Sequence, residues 1–445
     1  MSEARVVVLA AILSAPLVAL GCTRVVDAVT PVGGATDCTL QSTDPNCAPT
    51  PWPTTGLTPN HTANSDPWLV THNQVIISMK PQVLVLNFDN GQSTAQTKQY
   101  AEDVAAQLSV GSMYHGYSDS AAPAFLNYQI AKVVDLTDSS TPMTVSAKLP
   151  LTSTRDFDTT ALFSSATFPP LYDYPDPDQS GSYLSLCQLF EKGIINEVWI
   201  QDGGDPAQNL PRAPLYEEQK QGYDASGHAI PNDFSTCVGE SSGSSGCNFP
   251  CSVTVRLAHL DPGAGVGCDV QVRGWGIEGM WTALPESLAI DANAFLNQDF
   301  RTRFDVSFDK WSDVCGSMPC VSYPNPMEAT STSGDAQTFD FNPFDQGCGT
   351  SLYPPNATKA DDFMNGTPVN SRCETFGLGG GANGGDVYRP YSASAVASYD
   401  QTYTGSSRCP AGWQIYWRQS MPGYQNKATA TDGTPMKNWW PILFY

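Results

Sequence analysis

Apolar positions fill the chain from Val6 to Leu20, interrupted only by Ser14 and Pro16. The run follows a short leader with one arginine and falls short of the roughly 20 apolar residues a membrane span takes, so it predicts the core of an export signal. Residues 22–67 then lose all apolar periodicity and are rich in Thr, Pro, Asp and Gly, which predicts an extended tether. Order is expected near Trp68. The stretch Gln82–Asp89, QVLVLNFD, is nearly continuously apolar, as a strand buried on both faces of a parallel sheet would be, and Asn90-Gly91 ends it. Residues 97–108 show helical spacing, and Phe125–Leu136 returns to strand character. Tyr183–Lys192 predicts a helix, and Asn196–Gln201 a short strand closed by Asp202-Gly-Gly-Asp205. Ser252–Leu260 and Asp269–Gly274 read as strands, with a long helix over 277–296.

Strands alternating with helices predict an α/β fold, a mostly parallel open sheet with flanking helices, over residues 68–310. Beyond about Trp311 the segments are short, rich in Gly, Asn and Pro, and hold five cysteines. Residues 311–445 are therefore expected to form a loop-rich, disulfide-stapled elaboration packed on the same core. The apolar end, Lys437–Tyr445, is expected to dock as a strand or plug.

Cysteine usage sharpens the export reading. Gly21 precedes Cys22 at the end of the apolar run, the arrangement at which a bacterial lipoprotein signal is cut and the new terminal cysteine acylated. Residues 1–21 are then the signal, and an ordinary secretory signal is the alternative. Both place the mature chain outside the cytoplasm. The chain has 13 cysteines; lipid on Cys22 leaves twelve, which can pair completely in an oxidising compartment. Proximity pairs Cys38 with Cys47 and Cys315 with Cys320. A zinc site around Cys237, Cys247, Cys251 and Cys268 is the competing use, without a partner CxxC or HxxxH to complete it. The N-x-T triplets at Asn60, Asn356 and Asn365 carry no glycosylation message in a bacterial lipoprotein.

Only 15% of residues are charged, with a formal net charge of −22. Such acidity repels phosphate backbones and argues against a nucleic-acid partner. Membrane contact is expected through the lipid anchor alone.

Several pieces, in order, resemble a family of exported bacterial and fungal proteins of uncharacterised function. They are VLVLNFD at 83–89, Asn127-Tyr-Gln-Ile130, Glu197-Val-Trp199 behind Gly193, Cys348-Gly349 with Pro354-Pro-Asn356, and Asn438-Trp-Trp440. Together they span most of the chain after residue 80. The resemblance implies architecture and compartment. Its pattern carries one histidine four residues after the Cys-Gly cysteine and another before the proline of the late Trp-rich segment. Leu352 and Ser420 stand in those places, so the resemblance lends no reaction.

In an open parallel sheet, ligands bind beyond the carboxyl ends of the strands. Those ends carry Asp89, Asp202, Asp205, His259, Asp261, Arg273 and Glu278. Two carboxylates a few ångströms apart would split their pKa values and serve as acid and base, and three would hold a hard cation. Aspartates at strand ends also cap turns with no further role. Asp176, Asp178 and Ser180, with Gly181 after them, match the start of a calcium loop, but Cys187 stands where the closing glutamate belongs; the same residues would serve as a helix cap. Gly239-Glu-Ser241-Ser-Gly243 and Gly274-Trp-Gly-Ile-Glu-Gly279 fit a nucleophile elbow and a dinucleotide loop only as strings. The first lacks a strand and helix around it, and the second lacks the following strand.

Ten tryptophans and eighteen tyrosines supply faces on which sugar rings stack, or a packed core. Two functional readings follow. One is glycan-directed binding to extracellular polysaccharide through an acidic, aromatic-lined cleft, using Asp205, Trp275, Trp417 and Trp439. The other is an extracytoplasmic hydrolase, metal-assisted or glycosidase-like, using Asp89, Asp202 and Glu278. Calcium at Asp176, Asp178 and Ser180 is the one cofactor the pattern offers.

Overall fold

In the computed structural model the described residues are 38–39, 42–53, 72–138, 145–152, 157–201, short strands between 216 and 260 and between 329 and 339, and most of 347–442. Strand β3, Gln82–Asn87, lies inside a six-stranded sheet of order β4-β3-β5-β10-β6-β9. Its neighbours are β4, Gln129–Asp135, and β5, Glu197–Gln201, and both run parallel to it. Beyond β5 lies β10, Val255–His259, also parallel. The margin is antiparallel, formed by β6, Tyr216–Lys220, and β9, Cys237–Val238. Between them in sequence, β7, Gly222–Tyr223, and β8, Ala229–Ile230, form a separate hairpin. The protein thus mixes helices with sheets built around parallel strands, and the antiparallel margin was not legible in the apolar pattern.

Continuous apolarity has the predicted cause. Val83 and Val85 face one core cluster together with Trp199, whereas Leu84 and Leu86 face the other with Val198, Ile200 and Leu257. A two-residue side-chain period sends alternate residues to opposite faces, so a strand covered on both sides has no place for a polar residue. The first face is covered by helix α1, Thr94–Gly111, whose buried stripe runs through Thr97, Ala101, Val104, Leu108 and Gly111. Ser93 caps it in a reciprocal box with Gln96, so the helix starts three residues before the apolar spacing alone indicated. The second face is covered by the short helices α2, Thr159–Ser164, α3, Pro169–Tyr172, and α4, Leu186–Glu191. Helix α4 is shorter than the expected 183–192 because Ser185 and Gln188 form its capping box and Tyr183 pairs with Pro175.

The C-terminal part packs on the α1 face. Helix α5, Ala411–Ser420, brings Trp413, Tyr416 and Trp417 into the same cluster as Val83 and Trp199, and α6, Trp439–Ile442, adds Trp439 and Trp440. The apolar end therefore docks as a helical turn. Gly111 permits the approach of α5, since a Cβ there would lie 2.7 Å from Cδ of Arg418. Two small hairpins are separate from the main sheet: β11, Ala329–Ser333, with β12, Ala336–Phe339, and β13, Val369–Ser371, with β14, Arg389–Tyr391. A disulfide between the buried Cys348 and Cys373 closes this part, worth about 3 to 4 kcal/mol in a chain-entropy account.

Polar side chains join the elements at two places. Tyr128 Oη and Trp199 Nε1 both donate to the buried carboxylate of Glu197, each at 2.9 Å, which ties the amino ends of β4 and β5 together across β3. Asn356 donates to the carbonyls of Asn365 and Thr367, and Asn365 donates back to that of Asn356. Two of the three N-x-T asparagines thus spend their amide donors on a reciprocal clasp.

Within 22–67, expected to be a tether, residues 42–53 are folded. Cys38 and Cys47 are joined, as proximity predicted, and residues 50–52 form strand β1, Thr50–Trp52, parallel to β2, Ile76–Met79. Trp52 is 1% exposed within the main cluster, and its carbonyl accepts from Lys80 N at 2.7 Å. Isolated between prolines, Trp52 has no periodic neighbours to reveal it, yet its ring is too large to leave in water. Truncation of the chain to residue 68 or Trp52→Ala is expected to destabilise the fold, the latter by about 3–5 kcal/mol. Urea unfolding measures it; a loss under about 1 kcal/mol would show that the segment merely rests on the surface.

Candidate functional site

The chain leaves β3 for β4 on one side and later returns to β5 on the other, so the carboxyl ends of β3 and β5 form a switch point of the kind where open sheets bind ligands. Asn87 and Gln201 are register partners there, both fully buried. Asp89, 5% exposed, sits just beyond. Its Oδ1 accepts from Gly91 N at 2.7 Å and its Oδ2 accepts from Gln201 Nε2 at 3.3 Å. Asn87 Oδ1 accepts from Asp89 N at 3.0 Å, and Asn87 Nδ2 donates to the Gln92 carbonyl at 3.0 Å. The strand-end aspartate therefore does cap its turn, and it also grips the neighbouring strand.

One atom in this group is left over. Among the described residues, Gln201 Oε1 is buried with no hydrogen-bond partner, and so is Thr97 Oγ1 on the α1 stripe that lies against the same sheet face. An orphaned buried acceptor costs about 1–3 kcal/mol, so a donor from water or ligand is favoured at that place. Around this core the rim is polar. Asp135, at the end of β4, accepts from Thr137 Oγ1 at 2.7 Å, Thr137 N at 3.0 Å and Thr94 Oγ1 at 3.2 Å, and the Thr137 hydroxyl leads in holding its carboxyl below the usual range. Asn90 Oδ1 accepts from Asp138 N at 2.7 Å, which joins the two strand exits.

The other expected site residues divide clearly. Asp202, Asp205, Trp275 and Glu278 lie outside the described residues, as do Cys22 and the proposed Cys315–Cys320 pair. Trp417 and Trp439 are 2% and 0% exposed and cannot offer a face to a ligand. They are core residues: Trp417 Nε1 donates to the Gly349 carbonyl at 3.2 Å, and Trp439 packs edge-on against Phe376. Burial wins because the α1 face of the sheet has to be covered, and indole rings cover it with the most apolar area per residue.

At the calcium positions Asp176, Asp178 and Ser180 the side chains have protein partners or face solvent. Asp176 Oδ1 accepts from Asp178 N at 3.0 Å in an Asx turn, Asp178 Oδ2 takes the Lys192 ammonium at 2.7 Å, and Ser180 is exposed at the loop tip. The first two carboxylates serve the turn and a lysine, and the cap of the following helix is Ser185 instead. Among the described residues no cluster of three or more His, Cys, Asp or Glu side chains converges on a point.

A second cluster lies at the opposite edge and escaped the sequence reading. After α1 the loop Ser112–Tyr117 turns back toward β4, held by Ser112 Oγ, which accepts from Phe125 N and Leu126 N at 2.9 Å each. His115 N donates to the Gln419 carbonyl at 2.8 Å, and Gln419 Nε2 donates to the Val110 carbonyl at 2.9 Å, so α5 clamps the loop. His115 has φ 56°, a left-handed backbone that costs a non-glycine residue about 1 kcal/mol or more. In that pose the imidazole stacks on Tyr114, with ring centroids 3.9 Å apart and planes at 22°, and Tyr117 lies 5.3 Å away. All three rings are half-buried. Tyr117 in turn packs on Tyr416, whose hydroxyl donates to Glu374 Oε1 at 3.0 Å. The sequence signal was Tyr-His-Gly-Tyr between a helix and a strand, aromatic where a turn should be polar.

Comparison of the chain with family models, curated proteins and solved structures finds no match.

Burial pushes the His115 imidazole down to about 4 from 6.5. Its neighbours are the two tyrosine rings, while the nearby Asp119 carboxylate accepts from Ala121 N at 3.0 Å. Between pH 6.5 and 4 the unfolded chain therefore carries a proton at this residue that the folded one lacks, and stability falls as pH is lowered through that window. His115→Asn tolerates the left-handed backbone and does not titrate, so its melting temperature should fall less steeply over the same range. Parallel profiles for the two proteins would mean that the folded imidazole takes up its proton normally.

Proposed function

We propose that this protein is an extracytoplasmic binding protein for hydroxyl-rich, glycan-type ligands, received at the carboxyl edge of its parallel strands. The reading takes β4, β3, β5 and β10 as the heart of an open α/β sheet. It takes Cys22 as the lipid-bearing residue that holds the chain to a bacterial membrane, with the disulfides as the mark of an oxidising compartment. The observation that carries it is the pairing of Asp89 with Gln201, whose remaining oxygen has no donor. Sugar hydroxyls are donors of the right size for such acceptors, and planar Asp, Asn and Gln side chains hold them in fixed directions. Acidity of Asp89 and of the rim residues Asp135 and Asp138, on a chain of net charge −22, favours neutral or cationic ligands over polyanions.

Binding is the reading we favour because Asp89 accepts from its own turn at Gly91 N and from the neutral amide of Gln201. A hydrolase would pair Asp89 with a second carboxylate, for which Asp202 and Glu278, outside the described residues, are the candidates. Asp89→Asn separates the two. The asparagine Oδ1 still accepts from Gly91 N, and rotation of Gln201 offers Oε1 to the new amide, so the fold should be kept within about 1 kcal/mol. Titration of neutral oligosaccharides by calorimetry, with and without calcium, should show affinity reduced about tenfold or less. A drop in turnover by orders of magnitude would establish the hydrolase instead, and identical behaviour of the two proteins would remove Asp89 from any site.

A further inference from the structure

We propose that the loop after α1 forms a separate sugar-stacking site, with Tyr114 and His115 as the platform for a pyranose ring and Tyr117 as its wall. It lies at the amino edge of the sheet, away from Asp89, and stands or falls on its own variants.

Geometry and chemistry agree on this class of ligand. The stack is held in place from below. Ser112 anchors its start, the Gln419 carbonyl fixes His115 N, and a Cβ on Gly116 would come 2.6 Å from Gln419 Nε2, so the loop has no room to relax inward. The left-handed His115 is therefore maintained by the surrounding packing, and its effect is to lay the imidazole flat on the half-buried Tyr114 ring. Among the described residues nothing hydrogen-bonds the Tyr114 hydroxyl or either imidazole nitrogen, and the rings that carry them are half-buried. Three unused polar atoms around a flat aromatic face match what a sugar ring presents, C–H groups on its face and hydroxyls on its edge. The imidazole is neutral at ordinary pH, so it offers one donor and one acceptor and no charge to favour a phosphate or a carboxylate ligand. The patch is also small, three rings with polar margins, which suits one or two sugar units better than the apolar anchors of a protein partner.

The test uses the intact mature protein and four neutral probes, cellohexaose, laminarihexaose, chitohexaose and mannohexaose, followed by calorimetry and tyrosine fluorescence up to about 1 mM, the weak end of specific recognition. At least one probe should bind, and Tyr114→Ala should weaken it by about tenfold or more. His115→Gly suits the left-handed backbone and removes only the ring, so it keeps the fold and should weaken binding to a similar degree. Tyr183→Ala, at an exposed tyrosine paired with Pro175 ahead of α4, controls for adventitious aromatic contact and should leave affinity unchanged. The proposal is overturned if none of the four probes binds, if His115→Gly binds as the parent does, or if Tyr183→Ala loses as much as Tyr114→Ala. It is equally overturned if aromatic peptides compete the sugar off at lower concentration than free oligosaccharide does.

Discussion

Everything described here depends on burying both faces of the β3–β5 pair. Val83 through Leu86 and Val198 through Ile200 are all fully buried, and their alternating side chains feed two separate cores. At about 25 cal/mol for each Å² of apolar surface removed from water, these seven side chains are a main source of the fold's stability. That demand explains why the C-terminal tryptophans turn inward and why a strand near residue 50 is recruited from a Pro-rich segment. A sheet with two apolar faces needs two covers, and this chain draws one of them from both of its ends.

Polar groups inside that frame act as registers. Glu197 gathers the Tyr128 hydroxyl and the Trp199 indole, and thereby fixes how the flanking strands align at the amino edge. Asn87, Asp89 and Gln201 do the corresponding work at the carboxyl edge. The difference between the two ends is instructive. A saturated cluster specifies a structure, whereas the cluster with an orphaned oxygen leaves a place for something else to donate.

The two edges also differ in what they present to solvent. At the carboxyl edge the groups are carboxylates and amides around a largely buried centre. At the amino edge the groups are aromatic, neutral and half-exposed, carried on a loop whose backbone is held in a costly pose. Hydrogen-bonding groups and stacked rings are thus separated by the length of the sheet. One chain places them apart because α1 spans the whole distance, starting beside Asp89 and ending at Ser112.

The sequence by itself determined the central parallel strands, the flanking helices, the Cys38–Cys47 bridge and the docking of the apolar C-terminus. Each of these follows from local physics: side-chain period, cap residues, short cysteine spacing, and the cost of leaving Trp439 and Trp440 in water. It also marked Asp89 as a strand-end carboxylate. Only the tertiary structure decided that Gln201 faces Asp89, that Trp417 is core and no platform, and that Asp178 belongs to Lys192. Those outcomes depend on which strand lies beside which and on what covers a face, and no local pattern encodes either. His115 is the clearest case. Its ring is at the surface because Gln419, some three hundred residues away in sequence, holds its backbone, and that contact exists only once the two helices have packed.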